Sequence, residues 1–191
     1  SWSHHARGGH LLKSRARESN IRYNRLTDEG GTASYELELP NGGKARVIGN
    51  LIEQGATTQN RTIVSFGAEG YRWPANELSM AHNTVVNRAH GSATMVRAAP
   101  GPASTVIRNN LWVGGGALDL PVATKEDGNL AVTIQAFRDA PRYDYRPAAS
   151  GPLRPEAARL PAALTPGFQY MHERRVARRA RGPLFVGAFQ R

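Results

Sequence analysis

The stretch "NTVVNRAHG", Asn83–Gly91, follows "ELSMAH" and puts an asparagine inside an apolar strand pattern, where asparagine is ordinarily disfavoured. It is one of four such places. The others are "NIRYNRLT" around Asn24, "RVIGNLIE" around Asn50 and "TVIRNNLWV" around Asn110. Three residues before each asparagine stands Ile21, Val47, Met80 or Ile107, and two residues after it Leu26, Ile52, Val85 or Trp112. The intervals are 26, 33 and 27 residues, the longest containing the insertion "YRWPAN". A motif that returns every 20 to 50 residues marks a solenoid.

Between the asparagine segments lie further short strand patterns: "HLLKS" (10–14), "SYELEL" (34–39), "TIVSFG" (62–67) and "ATMVRA" (93–98). "SYELEL" alternates, which predicts Tyr35, Leu37 and Leu39 on one face and Glu36 and Glu38 on the other. Turns rich in Gly, Asn and Pro join the strands, and no 3.6-residue period intervenes. That excludes helical repeat arrays and predicts a β-solenoid, with coils stacked about 4.8 Å apart. Asparagine suits such a corner. It tolerates left-handed backbone angles, bonds nearby backbone groups, and stacks amide on amide. A structural ladder is therefore the reading of Asn24, Asn50, Asn83 and Asn110, with ligand binding as its alternative.

The 191 residues allow one domain, or a domain with a tail, and 40% hydrophobic content supplies a core. Twenty glycines and twelve prolines suit many turns. The absence of cysteine excludes disulfides and cysteine-metal sites. No apolar run approaches the roughly 18 residues of a membrane helix. The chain starts at Ser1 without a methionine, which reads as a processed or partial product. The net charge of +10 attracts polyanions. Much of it sits in "HERRVARRARG" (172–182), with five arginines against one glutamate. No nucleic-acid motif accompanies that run, so capping or solvated arginines are expected rather than nucleic-acid binding.

The segments "NIRYNRLTDE", "RVIGNLIEQG", "LSMAHNTVVN" and "VIRNNLWVGGG" resemble the repeats of right-handed parallel β-helix proteins, a group that includes pectate-lyase-like and chondroitinase-B-like polysaccharide enzymes. The resemblance covers about residues 1–116. It implies an all-β solenoid with upstream coils missing, and a 117–191 tail that packs along the solenoid or caps it. "YDYRPAASGPLRP" (143–155) and the closing "GPLFVGAFQR" are similar to the tail segments of such proteins. It further implies a secreted or periplasmic monomer that binds an acidic polysaccharide and cleaves it by β-elimination, with uronate epimerisation or glycoside hydrolysis as other chemistries of the fold and a non-catalytic surface, adhesion or structural module as the alternative. "HLLKSRARESNIRYN", with "SYELELPNGG" and "VIGNLIEQG" one coil on, is similar to lyases of the chondroitinase B and alginate lyase group. That likeness makes Lys13 the base for β-elimination of a uronate, with calcium as the expected cofactor.

Read from the residues, several alternatives stay open. Lys13 is a base, or one rung of an exposed Lys–Glu ladder. Stacking beside Glu36 or Glu38 would favour its charged form, the opposite of what a base requires. Glu36 and Glu38 are a solvated strand face, an acid/base pair, or calcium ligands together with Glu53 or Glu69. His4, His5 and His10 are incidental or metal-binding. In the insertion, Tyr71, Arg72 and Trp73 line a sugar groove or pack the loop. Glu69, Arg72, Trp73 and Arg97 are the expected substrate contacts, Arg97 extending an outward row past Ser65. His82 is a weaker candidate.

Overall fold

Apolar side chains at alternate positions, interrupted by short turns, make strands of three to five residues that recur in groups of three. The computed structural model describes residues 1–101, 103–148, 156–171 and 175–190. The end of the "YDYRPAASGPLRP" stretch, 149–155, and His172, Glu173 and Arg174 of the arginine run lie outside the described residues.

The first group is β1 (Trp2–His4), β2 (His10–Lys13) and β3 (Glu18–Arg22). The second is β4 (Arg25–Thr27), β5 (Tyr35–Leu39) and β6 (Lys44–Ile48), and the third is β7 (Leu51–Gln54), β8 (Thr62–Phe66) and β9 (Glu77–Ala81). Then come β10 (Thr84–Asn87), β11 (Thr94–Ala98) and β12 (Ser104–Arg108). The next group is β13 (Leu111–Val113), β14 (Ala117–Asp119) and β15 (Lys125–Asp127), and β16 (Leu130–Val132) opens another. Each strand pairs in parallel with the one three places on. The first sheet is therefore β1-β4-β7-β10-β13-β16, the second is β2-β5-β8-β11-β14, and the third is β3-β6-β9-β12-β15. The chain is all-β, with parallel strands stacked in three sheets, consistent with a parallel β-helix. The stacking continues past Gly116 to Val132.

Equivalent side chains stack in register. Leu26, Ile52, Val85 and Trp112 form the inward row of the first sheet. Ile21, Val47, Met80 and Ile107 form that of the third, and Leu37, Val64 and Val96 that of the second. Each fully buried Leu, Ile or Val stabilises the stack by roughly 1.5–3 kcal/mol.

The asparagines sit where the third sheet turns into the first. The Nδ2 groups of Asn24, Asn50, Asn83 and Asn110 each donate to Oδ1 of the next asparagine at 2.9–3.0 Å. The same Oδ1 atoms accept the backbone N–H of the preceding asparagine at 2.9–3.0 Å. Each Nδ2 from Asn50 onward also donates to a carbonyl one group back: Ile21, Val47, Met80 and Ile107. The ladder has a fifth rung, Asn129. The left-handed angle falls one residue earlier than expected. Tyr23, Gly49, His82, Asn109 and Gly128 hold φ between 53° and 65°, which frees the asparagines for hydrogen bonding.

After Val132 the chain turns back along the outer face of the first sheet. It forms two antiparallel hairpins, β17 (Phe137–Asp139) with β18 (Asp144–Pro147), and β19 (Phe168–Met171) with β20 (Arg175–Arg178). The outward Leu51, Val86, Leu111 and Val113 are covered by Phe137, Ala140, Tyr145 and Val186 in a second hydrophobic cluster. Polar docking follows the corner. His82 Nδ1 meets the Phe185 carbonyl at 2.9 Å, Asn109 Nδ2 donates to Ala158 O at 2.8 Å, and Ala188 N–H donates to Thr84 Oγ1 at 3.0 Å.

Candidate functional site

Strand pairing in the second sheet places Lys13, Glu38, Ser65, Arg97 and Asp119 in one outward row across β2, β5, β8, β11 and β14. At one end Lys13 Nζ is 2.6 Å from Glu38 Oε2, and His10 Nε2 lies 3.1 Å from the same oxygen. At the other, Arg97 Nε pairs with Asp119 Oδ2 at 3.2 Å.

The loop after β8 completes the Lys13 end. Gly67 and Gly70 hold φ of 80° and 86°, which lets the chain fold sharply back. Glu69 N–H then bonds Pro40 O at 2.9 Å, and Glu69 reaches Lys13 at 3.3 Å. Arg15, two residues after Lys13, clamps both oxygens of Glu69, with Nη2 to Oε1 at 2.8 Å. Tyr71 anchors the loop: its ring packs on Phe66 and its hydroxyl donates to Ala99 O at 2.6 Å. Of the two readings for Tyr71, loop packing is the one adopted.

Electrostatics follow from these contacts. The hydrogen bond to Glu38 raises the Lys13 pKa above its ordinary value, against slight desolvation, and Glu69 adds to the rise. At Glu69 desolvation, the largest single effect, pushes the pKa up, and Lys13 and Arg15 together outweigh it and hold the carboxyl below its usual range. Lys13, Arg15 and Arg97 face Glu38, Glu69 and Asp119, so the row is charge-compensated.

One expectation is corrected. Glu36 does not share the outward face of Glu38. It is completely buried, and neither of its carboxylate oxygens has a hydrogen-bond partner. Pairing of the flanking residues aligns Glu36 with Leu11 and Ile63, both core residues, and Ile63 in turn with Met95. The strict alternation breaks at the start of these strands, so positions 36 and 37 both face inward. Burial pushes the Glu36 carboxyl well above its ordinary pKa, with Asp28 and Glu53 adding to the rise. Glu36 therefore cannot partner Glu38 as an outward acid/base pair.

The expected calcium ligands do not converge. Glu36 lies in the core, Glu38 and Glu69 hold Lys13, and Glu53 belongs to the first sheet beneath the tail. Among the described residues no group of three or more His, Asp or Glu side chains is placed to hold a metal ion. His4 and His5 contact each other, whereas His10 faces Glu38. Arg72 is exposed. Trp73 is half-buried, its carbonyl accepts from Asn76 Nδ2 at 2.7 Å, and its indole nitrogen is buried without a partner. Neither residue contacts the Lys13 cluster through a hydrogen bond.

Sequence reasoning missed Arg15 and Asp119, which complete the row. Arg15 was legible, because alternation puts it on the same face as Lys13. It named Glu53 only as a calcium ligand and missed Arg88 and Tyr145, which stand with it beneath the tail. Glu53 points outward from the first sheet but is completely buried, with Arg88 Nη1 4.0 Å from Oε1. Burial raises its pKa to about 7, with Arg88 and Arg25 opposing the rise. The Tyr145 hydroxyl lies near Glu53 and Arg88, short of hydrogen-bond geometry, and burial pushes its pKa upward.

Comparisons with known protein families, curated proteins and solved structures return no match to this chain. What defines its class is the architecture: an all-β stack of parallel strands in three sheets, with a polar outward row on the second sheet and a basic tail along the flank of the first.

Proposed function

We propose that this chain is a right-handed parallel β-helix of the pectate-lyase-like kind, and that it binds an acidic polysaccharide along the row from Lys13 to Asp119. The observation that carries the reading is the shape of the row. It crosses five adjacent strands in register, a polar track roughly 19 Å long at about 4.8 Å per strand, with Lys13, Arg97 and Asp119 exposed and Glu38 and Ser65 buried between them. That matches an extended polymer better than a compact ligand. Its alternating cations and carboxylates suit a chain that bears both hydroxyls and carboxylates, because arginine and carboxylate groups each form paired hydrogen bonds. The +10 net charge draws polyanions to the molecule. A secreted or periplasmic setting goes with such a ligand.

Binding without cleavage is the better-supported form. Lys13 is held as an ammonium between Glu38 and Glu69, and its pKa moves away from neutrality. A lysine base needs the reverse shift. The test is titration with alginate, pectate, heparin and chondroitin sulfate, alongside a neutral glucan. At least one acidic polymer should bind, the glucan should not, and the double variant Lys13→Ala, Arg97→Ala should bind about tenfold more weakly. An ultraviolet absorbance rise from unsaturated uronates that depends on Lys13 would instead establish the lyase. Equal binding by the double variant would remove this face from the account.

A further inference from the structure

The most unusual residue on the outer face of the first sheet is Arg25. Its row reads Trp2, Arg25, Leu51, Thr84, Leu111 and Leu130 across the sheet. Arg25 is only 6% exposed. Burying a guanidinium is costly unless its donors are satisfied. Two ends are held: Nη1 donates to Tyr143 O at 3.1 Å and Nη2 to Glu29 at 3.4 Å. The third donor, Nε, is buried and has no partner. Arg25 lines a cavity of about 480 Å³ between the sheet and the tail. That lies within the range of sites that bind small molecules.

The rest of the lining has the same character. Arg138, Arg142 and Arg146 join Arg25, against a single carboxylate, Asp144. Asp144 is taken up by Arg146, at 2.7 Å from its Nε. Arg142 reaches only Asp139, at 3.4 Å, and remains 87% exposed at its side chain. Arg138 bonds a carbonyl, Pro147 O, at 3.3 Å, with no carboxylate in an ion pair among the described residues. With Arg25 paired to Glu29, Arg142 to Asp139 and Arg146 to Asp144, Arg138 is the arginine that leaves the cavity one uncompensated positive charge among the described residues, whereas the outward row of the second sheet cancels its own. Tyr143 and Phe189 add ring surface to the same wall. The residues after Val132 hold eleven Lys and Arg against four Asp and Glu, so the tail supplies most of the protein's excess charge.

We propose that this cavity is a second binding site, for the carboxylate-bearing sugar ring at the end of a short uronate oligosaccharide. The carboxylate would complete the donor set at Arg25 and Arg138, and the ring would lie against the aromatic wall. Assigning the ring as a uronate rests on the polysaccharide reading. The demand for an anion attached to a ring does not.

The experiment is calorimetric titration of the full chain with di- and trimeric uronates, the matching neutral disaccharide, and benzoate. Uronate oligomers should bind one to one and the neutral sugar should not. Arg138→Glu should weaken binding at least tenfold, and Arg142→Ala about threefold. Lys13→Ala with Arg97→Ala should leave short-oligomer binding unchanged while weakening polymer binding, which separates this site from the outward row. Thermal melting checks that each variant is folded, and Arg138 and Arg142 are exposed positions where substitution is tolerated. No saturable uronate binding, or binding insensitive to both arginine changes, overturns the proposal. Benzoate binding without uronate binding overturns the choice of ligand.

Discussion

Glu53 shows what an ionisable side chain does when a tail closes over it. Outward on β7, it would be solvated on an open sheet, yet it is completely buried and its pKa is raised to about 7, from an ordinary value of 4.5. Between those values the folded protein holds a proton that the unfolded chain has lost. The raised pKa therefore contributes stability that is fully present below about pH 4.5 and is lost as pH rises through 7. Glu53→Gln, which mimics the protonated form, should stabilise the protein by on the order of 3 kcal/mol at pH 8 and by little at pH 4.5. Urea unfolding at the two pH values checks it, and an equal gain at both would contradict the assignment. Glu36 obeys the same sign with a simpler surrounding, since its strand neighbours are core residues and its oxygens are unpartnered. Glu36→Met should stabilise by about 1–3 kcal/mol at pH 8, measured by the same unfolding midpoint, with a smaller gain in acid. The burial of Glu36 was not legible in "SYELEL". Alternation predicts faces only within a regular strand, and the break at the start of β5 leaves no trace in residue type. Glu38, by contrast, lies on its predicted face and is covered by Lys13 and His10 rather than solvated.

At the scale of the element, the asparagine ladder was legible because the stack repeats its surroundings as well as its asparagines. An apolar residue three before and a bulky one two after mark the last inward side chain of the third sheet and the first full one of the next. Asn129 escaped that pattern. Its corresponding positions are Glu126 and Ala131, both exposed, because the final group no longer encloses a core. The spacing also drops to 19 residues there. The left-handed residues were only partly legible. Gly49, His82, Asn109 and Gly128 belong to types that accept positive φ, whereas Tyr23 does not advertise it. The ladder predicts a gradient of mutational cost. Removing the Asn83 amide leaves the Asn50 N–H without its acceptor and takes one partner each from Asn50 Nδ2, the Val47 carbonyl and Asn110 Oδ1, all in buried surroundings. Asn83→Ala should cost about 3 kcal/mol or more. Asn24 is half-buried at the end of the ladder, with no rung donating to it among the described residues, so Asn24→Ala should cost about 1 kcal/mol. Denaturant unfolding of the pair decides it, and equal costs would mean that the amides do not act as a continuous ladder.

For the whole molecule, the tail joins the stack through groups whose protonation matters in opposite directions. Glu53, beneath it, disfavours docking as pH rises through 7. His82 acts with the opposite sign. Its Nδ1–H donates to Phe185 O at 2.9 Å, and its Nε2 accepts from Asn109 Nδ2 at 3.2 Å, so the docked ring is neutral. Protonation would set an N–H against the Asn109 amide, which is already committed to Ala158 O. Burial lowers the His82 pKa below its ordinary 6.5, with the Phe185 bond opposing and Arg179 assisting. Below that value the unfolded chain takes up a proton that the folded protein refuses. This depressed pKa therefore contributes stability that is present above about pH 6.5 and lost as pH falls through the folded value. The two contributions therefore oppose each other on the acid side of neutrality, and above about pH 8 both are constant. Amide hydrogen exchange of the 184–190 segment, corrected for intrinsic rates, should change less between pH 7 and pH 5 in the parent protein than in either variant. His82→Gln keeps one acceptor and one donor at the corner without a titrating group, so its protection should rise as pH falls from 7 toward 5, following Glu53. Glu53→Gln should show the reverse, a decline toward pH 5 that follows His82. If neither variant shows its own slope, the tail is held by the Leu111, Val86 and Tyr145 cluster alone, and the polar corner is incidental to docking.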